Sequence, residues 1–186
     1  MLTLKLVFDT NPIKSDFFHE VEEESNTKVL QCYQCGKCSA GCPIAFEMDY
    51  LPNQIIRMVQ LSMKERALSS RTIWLCAGCE TCTTRCPREV DIAKVMDALR
   101  IVSLRENVKP SERDVELFNR LFLGTVKKYG RVFEGEMIGK FNISSGHLFK
   151  DIFKGPKLFK KGRLKIFPSL ADPKKIKEIF KGAESG

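Results

Sequence analysis

Cys32, Cys35, Cys38 and Cys42 stand in the order C-x2-C-x2-C-x3-C with Pro43 directly after them. Cys76, Cys79, Cys82 and Cys86 repeat that spacing, with Pro87 after them. These are all eight cysteines of the 186-residue chain, so none is left over. Three thiolates two residues apart can wrap one loop around three corners of an iron–sulfur cube. The fourth comes after a longer step and points away from that cube. In two-cluster proteins with this spacing, the fourth cysteine ligates the other cluster. Transferred here, one [4Fe–4S] cluster takes Cys32, Cys35, Cys38 and Cys86, and the other takes Cys76, Cys79, Cys82 and Cys42. The exchange would tie the motifs together, so that metal loss is expected to unfold much of residues 28–106.

Other uses of eight cysteines fit less well. Zinc sites pair C-x2–4-C elements across a longer loop, a poor match to two four-cysteine runs that each end in Cys-Pro. The first residues, MLTLKLVFDT, show no basic leader and no small-residue cleavage site. Secretion is therefore not expected, and a disulfide scaffold explains the cysteines badly. Apolar residues make up 43% of the chain, enough for a modest core. The longest uncharged apolar stretches, such as Leu121–Val126, fall far short of the roughly 20 residues of a membrane helix. The expectation is a cytoplasmic chain with no membrane span.

Charge divides the sequence. Residues 1–106 carry 13 basic and 14 acidic side chains, and residues 107–186 carry 18 and 9, so the second part alone holds the positive excess. The division expected is a cluster domain over 1–106 and a basic extension over 107–186 that docks on a partner. In that extension KDIFKGPKLFKKGRLK, residues 150–165, is interleaved with Phe149, Phe153, Phe159 and Phe167. Such a pattern can stack on nucleic acid or sit on an acidic protein surface with phenylalanine anchors. The protein surface is the reading adopted, with no nucleic-acid partner.

The periodicities predict a mainly α fold. Residues 2–8 alternate apolar and polar and suggest one short strand. Ser15 is placed to cap a short helix running into Glu22, Glu23 and Glu24, which read as a solvated face. Pro52 suits the first turn of a helix carrying Ile55, Ile56, Val59 and Met63. Asp91 can cap a helix with Ile92, Val95, Met96, Leu99 and Val102 on one face. Ser111 and Asp114 resemble a capping box ahead of Phe118, Leu121, Phe122 and Val126, a helix that Gly130 would stop. Asp172-Pro173 and Gly182 bracket a last helix, and residues 131–169 between read as extended or irregular. Gly36, Gly41 and Gly78 lie inside the cysteine loops. They could adopt positive φ and turn amides toward the cluster sulfurs, or simply serve tight turns. Trp74 reads as core that could also shield Cys76. Of the two histidines, His19 and His147, neither reads as a ligand, and His19 reads as a surface residue.

Residues 43–75 between the motifs are long enough for helices, whereas a small β-hairpin ferredoxin has only a short connection there. That favours a helical ferredoxin-like domain, resembling the C-terminal half of the iron–sulfur subunits of succinate dehydrogenase and fumarate reductase. A closer resemblance lies in CYQCGKCSAGCP from Cys32, IWLCAGCETCTTRCP from Ile73 and the VDIAKVMDALR segment from Val90. Over roughly residues 28–106 these are similar to the C subunits of the CoB–CoM heterodisulfide reductases of methanogenic archaea. The resemblance implies a cytoplasmic electron carrier in a multi-subunit oxidoreductase of methanogenesis. It would take electrons from the flavin-containing iron–sulfur subunit, itself fed by a hydrogenase or formate dehydrogenase, to the disulfide-reducing subunit. The chain has neither the adjacent Cys-Cys pair of the disulfide-cleaving motifs nor a G-x-G-x-x-G fingerprint. No catalytic residue is therefore expected on it. Its alternatives are the same relay in a succinate/fumarate, glycerol-3-phosphate or glycolate type dehydrogenase, and a nucleic-acid-binding protein with structural clusters.

Overall fold

Helices account for all the regular structure among the residues that a computed structural model describes, 16–146 and 173–184; no strand occurs among them. The strand expected over residues 2–8, the cap at Ser15, His147 and residues 147–169 lie outside the described residues. The chain divides into two compact units, Met1–Glu112 and Arg113–Gly186.

The first unit is built on three amphipathic helices. In α1 (Asp16–Ser25), Phe17, Phe18 and Val21 are buried. Between it and the next long helix lies the short α2 (Lys37–Ala40). Pro52 opens α3 (Pro52–Gln60), where its missing N–H costs nothing, and Gln54 Oε1 accepts from Leu51 N at 2.8 Å. Ile55, Ile56 and Val59 are fully buried. The helix stops before Met63, because Ser62 turns left-handed at φ 54°. Met63 still packs on the same core, from the start of α4 (Lys64–Leu68). The short α5 (Thr72–Leu75) and α6 (Thr81–Thr84) follow. In α7 (Ile92–Arg105) Asp91 caps the start, accepting from Lys94 N at 3.2 Å, and Ile92, Val95, Met96, Leu99 and Val102 form one buried face.

Helices α1, α3, α4 and α5 pack against α7, and a contiguous core joins Phe17, Val21, Val29, Ile55, Val59, Trp74, Val95 and Leu99. Each such side chain contributes about 1.5–3 kcal/mol, which dwarfs the surface ion pairs at about 0–1 kcal/mol. The acidic run at Glu22–Glu24 is more than a solvated face. Glu22 Oε1 accepts from Val29 N at 2.6 Å, and Glu24 pairs with Arg105.

In the second unit α8 (Arg113–Tyr129) packs against α9 (Glu134–Ser145) and α10 (Pro173–Glu184). Ser111, two residues before α8, donates its hydroxyl to Ser69 O. Gly130 does end α8, at φ 77°. The irregular reading of residues 131–169 fails over α9. There Phe141 meets Phe118 edge-on at 6.1 Å and Glu136 binds Lys140 at 2.6 Å and the Tyr129 hydroxyl, contacts that a weak periodicity hides. Helix α10 also runs on through Gly182 to Glu184 rather than stopping there.

Candidate metal centre

The two cysteine loops adopt the same conformation. The residue two after the first cysteine is left-handed in each, Gln34 at φ 64° and Gly78 at φ 59°. So is the residue directly after the second cysteine, Gly36 at φ 76° and Glu80 at φ 57°. Each loop thus needs two left-handed positions and has glycine at only one. Gly36 and Gly78 have the expected positive φ. Gly41 does not, at φ −100°. Its missing side chain serves a close approach: a Cβ there would lie 2.1 Å from Arg85 Nη1, so the Arg85 side chain lies directly against the Gly41 backbone.

From these turns the third cysteine of each motif enters a short helix, Cys38 in α2 and Cys82 in α6, and the two helices pack together. The residue after that cysteine anchors each loop to the next long helix. Ser39 Oγ donates to Asn53 Oδ1 at 2.5 Å at the start of α3, and Thr83 Oγ1 donates to Asp91 Oδ1 at 3.0 Å at the start of α7. Asn53 Nδ2 also donates to Gln34 Oε1 at 3.2 Å, and Gln34 Nε2 in turn to Cys32 Sγ at 3.4 Å. The buried Gln60 donates from Nε2 to Val29 O at 3.1 Å and Cys32 O at 2.9 Å, fixing the chain where the first motif begins. Asp49 holds the entry to the second motif. It accepts from Thr72 N at 2.9 Å, Arg71 N at 2.9 Å and Thr72 Oγ1 at 2.8 Å at the start of α5, which leads into Cys76. None of Gln34, Asn53, Gln60 or Asp49 carries a motif signature; the pairing of polar residues across 14 to 31 positions is visible only in three dimensions.

The cysteines are gathered across the motifs. Cys42, Cys76, Cys79 and Cys82 line one recess together with Ile44, Met48, Pro52, Ile92, Ala93 and Met96. Cys32 lies within electrostatic range of Cys38, and Tyr33 interacts with Cys35 and lies within electrostatic range of Cys86. Val90 N donates to Cys86 Sγ at 3.4 Å. Among the described residues no three His, Cys, Asp or Glu side chains are close enough to hold a single metal ion. Four sulfurs around an apolar recess are a donor set that suits a cubane cluster. Arg100 supports the same wall: it donates to Cys76 O at 3.2 Å while its Nε is buried without a partner. Trp74 is buried in the core with its Nε1 unpartnered, and His19 is exposed with its ring edge-on to Phe18.

Burial pushes the Cys38, Cys76 and Cys82 thiols up. At Cys76 the Gly78 amide and the Arg100 charge partly oppose it. Cys79 is exposed, and the Thr81 hydroxyl and amide hold it below the usual thiol range. Buried thiols of this kind lose their protons to a bound metal rather than to water.

Residues 28–90 match the 4Fe-4S dicluster domain family. The relatives are more specific. Over 119 residues the chain is 34% identical to the iron–sulfur C subunit of the CoB–CoM heterodisulfide reductase of Methanopyrus kandleri, across 59% of this chain and 60% of that one. It is 33% identical over 88 residues to the C subunit of the H(2):CoB-CoM heterodisulfide,ferredoxin reductase of Methanothermobacter marburgensis, across 47% and 48%. It is 29% identical over 132 residues to the iron–sulfur C 2 subunit of the CoB–CoM heterodisulfide reductase of Methanocaldococcus jannaschii, across 67% of each. The chain is thus similar to heterodisulfide reductase C subunits, and it spans 48% to 67% of the lengths of these relatives. Among the described residues no helix is long and apolar enough to cross a membrane.

Proposed function

We propose that the chain is an electron relay that holds two [4Fe–4S] clusters. One sits on Cys32, Cys35, Cys38 and Cys86, and the other on Cys76, Cys79, Cys82 and Cys42. The observation that carries this is the shared recess of Cys42 with the three leading cysteines of the second motif. A bound cluster supplies a one-electron site. The chain's own residues do the rest. Gln34 and Val90 donate hydrogen bonds to Cys32 and Cys86, an interaction that helps set cluster potentials. Ile44, Met48, Ile92 and Met96 keep water from the second site. Packing of α2 on α6 keeps the two sites close, as a relay requires.

The names of the relatives support a narrower reading. The chain carries electrons within a cytoplasmic heterodisulfide reductase of methanogenesis, from the flavin-containing subunit to the disulfide-reducing one. It makes no disulfide chemistry itself, since it has no adjacent cysteines. Residues 1–106 form the cluster domain and the basic residues 107–186 dock it to its neighbours. Anaerobically purified protein is expected to hold about eight irons per chain and negligible zinc. Cys86→Ser should perturb the spectrum of the cluster on Cys32, Cys35 and Cys38. An iron content near four, or damage confined to the cluster on Cys76, Cys79 and Cys82, would contradict the assignment. Copurification with a flavoprotein and a chain rich in adjacent cysteines tests the narrower reading.

A further inference from the structure

The exposed cysteines differ in the charge around them. Cys35 and Cys79 are the two exposed members of the eight, so each proposed cluster comes nearest to solvent there. Around Cys79 the surface is apolar and acidic, with Ile44, Met48 and Glu80 at the recess and Phe46 81% exposed close by in sequence. Around Cys35 it is basic. Tyr33, 61% exposed, interacts with Cys35 and lies within electrostatic range of Cys86 and Arg88. Lys37, two residues after Cys35, lines a shallow basin with Ala40 and Arg85. Arg85 is held there by its packing on Gly41. Lys37, Arg85 and Arg88 are all exposed, and no ion pair is formed by them among the described residues. The cations that brace the helical frame behave differently: Lys64, Arg71, Arg100 and Arg105 are each paired to a carboxylate. The groove beside Cys86 does not reverse the sign. It adds Lys28 and Glu89, which offset each other, and Lys94 and Asp91, which pair at 3.0 Å.

We infer that the Tyr33, Lys37, Arg85 and Arg88 face over Cys35 is a docking surface for an acidic one-electron protein, with the Tyr33 ring as its apolar centre. This rests on the reading of the chain as a cluster relay. Three unpaired cations around an exposed aromatic ring give both long-range steering and a desolvated contact. The exchange is balanced within the pair: the docked protein's flavin or iron–sulfur centre gives up one electron, and the cluster that Cys32, Cys35, Cys38 and Cys86 would hold would accept it.

The test uses the full cluster-loaded chain and reduced flavodoxin, a small acidic flavoprotein, mixed in a stopped-flow instrument. The second-order reduction rate should fall at least about tenfold between roughly 20 mM and 300 mM salt. At low salt, Lys37→Glu/Arg85→Glu/Arg88→Glu should slow it by about tenfold or more. The same variant should be reduced by dithionite within about twofold of the parent, and Arg66→Glu, an exposed cation on α4, should leave the flavodoxin rate unchanged. If the triple variant binds less iron, Lys37→Gln/Arg88→Gln gives the same comparison with a smaller expected loss. Equal rates for parent and triple variant overturn the inference, as does equal slowing by Arg66→Glu. A changed cluster potential with unchanged flavodoxin rates would mean that the cations only offset the clusters' own charge. Binding of a single-stranded oligonucleotide at physiological salt, lost in the triple variant while flavodoxin transfer persists, would make the face a nucleic-acid site instead. Absence of iron from the parent protein refutes the relay reading itself.

Discussion

Gln60 is the side chain on which the first cysteine loop most visibly depends. Its amide donates to the carbonyls of Val29 and Cys32, its own residue is 7% exposed, and Val29 is fully buried. Gln60→Met keeps the volume and the helix propensity but removes both donors. A net hydrogen bond contributes about 1 kcal/mol, and a buried acceptor left without a donor costs about 1–3 kcal/mol. With Cys32 only partly buried, the two carbonyls together give an expected loss of about 2–4 kcal/mol. A unit of this size unfolds in guanidinium with a slope of about 3 kcal/mol per molar, so the midpoint should fall by about 0.7–1.3 M. Anaerobic denaturation of the cluster-loaded chain, read by far-ultraviolet circular dichroism and by cluster absorbance, measures it. The absorbance should be lost at or before the helical signal, since the loop is released first. A midpoint shift below about 0.2 M would refute the claim that these bonds hold the loop.

Two further perturbations read the second motif. Asp49→Ala removes the acceptor at the start of α5 and should destabilise by about 1–2 kcal/mol at pH 7, the range for a lost helix cap. Burial raises the Asp49 carboxyl, but the amides of Arg71, Thr72 and Tyr50 and the Thr72 hydroxyl outweigh it and hold it below the usual carboxylate range. Its stabilisation is therefore complete above about pH 4 and is lost as pH falls through the lower folded value; denaturation midpoints of variant and parent should converge below that pH. Gly78→Ala meets no atom within 4 Å but keeps φ at 59°, so it should cost about 1 kcal/mol by backbone strain alone, measured by the same denaturation.

The ligand loops are legible because cluster chemistry fixes spacing: three cysteines two apart and a fourth after three residues are a short-range pattern. The helices on 3–4 periodicity are legible for a similar reason, since Val95, Leu99 and Val102 repeat on one face whatever surrounds them. What escapes lies at longer range or depends on backbone geometry. Gln34 and Glu80 take left-handed positions that glycine would ordinarily mark. Gly41 looks like a third such glycine, yet its smallness makes room for Arg85, a residue 44 positions later. Helix α9 escapes because its contacts, Phe141 on Phe118 and Glu136 on Tyr129, come from another helix rather than from its own period. The bond of the Ser111 hydroxyl to Ser69 O escapes because it spans 42 positions.

The location of the core also bears on what the clusters do for stability. If the clusters were the main cross-links, metal loss would unfold residues 28–106 as a block. The core tells otherwise. Phe17, Val21, Ile55, Ile56, Val59, Val95, Leu99 and Val102 join α1, α3 and α7, and all are at most 3% exposed. Among the cysteines only Cys38 belongs to this buried set; Cys32, Cys76, Cys82 and Cys86 pack on its edge. At about 1.5–3 kcal/mol for each buried apolar side chain, the helical frame has a driving force independent of metal. The loops 32–43 and 76–87 do not: their turns hold four left-handed residues and their helices are four residues long, below what stands alone in water. Chelation of the iron under anaerobic conditions should therefore leave roughly three quarters or more of the helical circular dichroism, while trypsin gains cuts at Lys37, Arg85 and Arg88 that the loaded chain resists. Loss of more than about half of the helical signal would return the clusters to the role of principal cross-links. An apo chain as resistant to trypsin as the loaded one would mean that the loops hold their shape without metal.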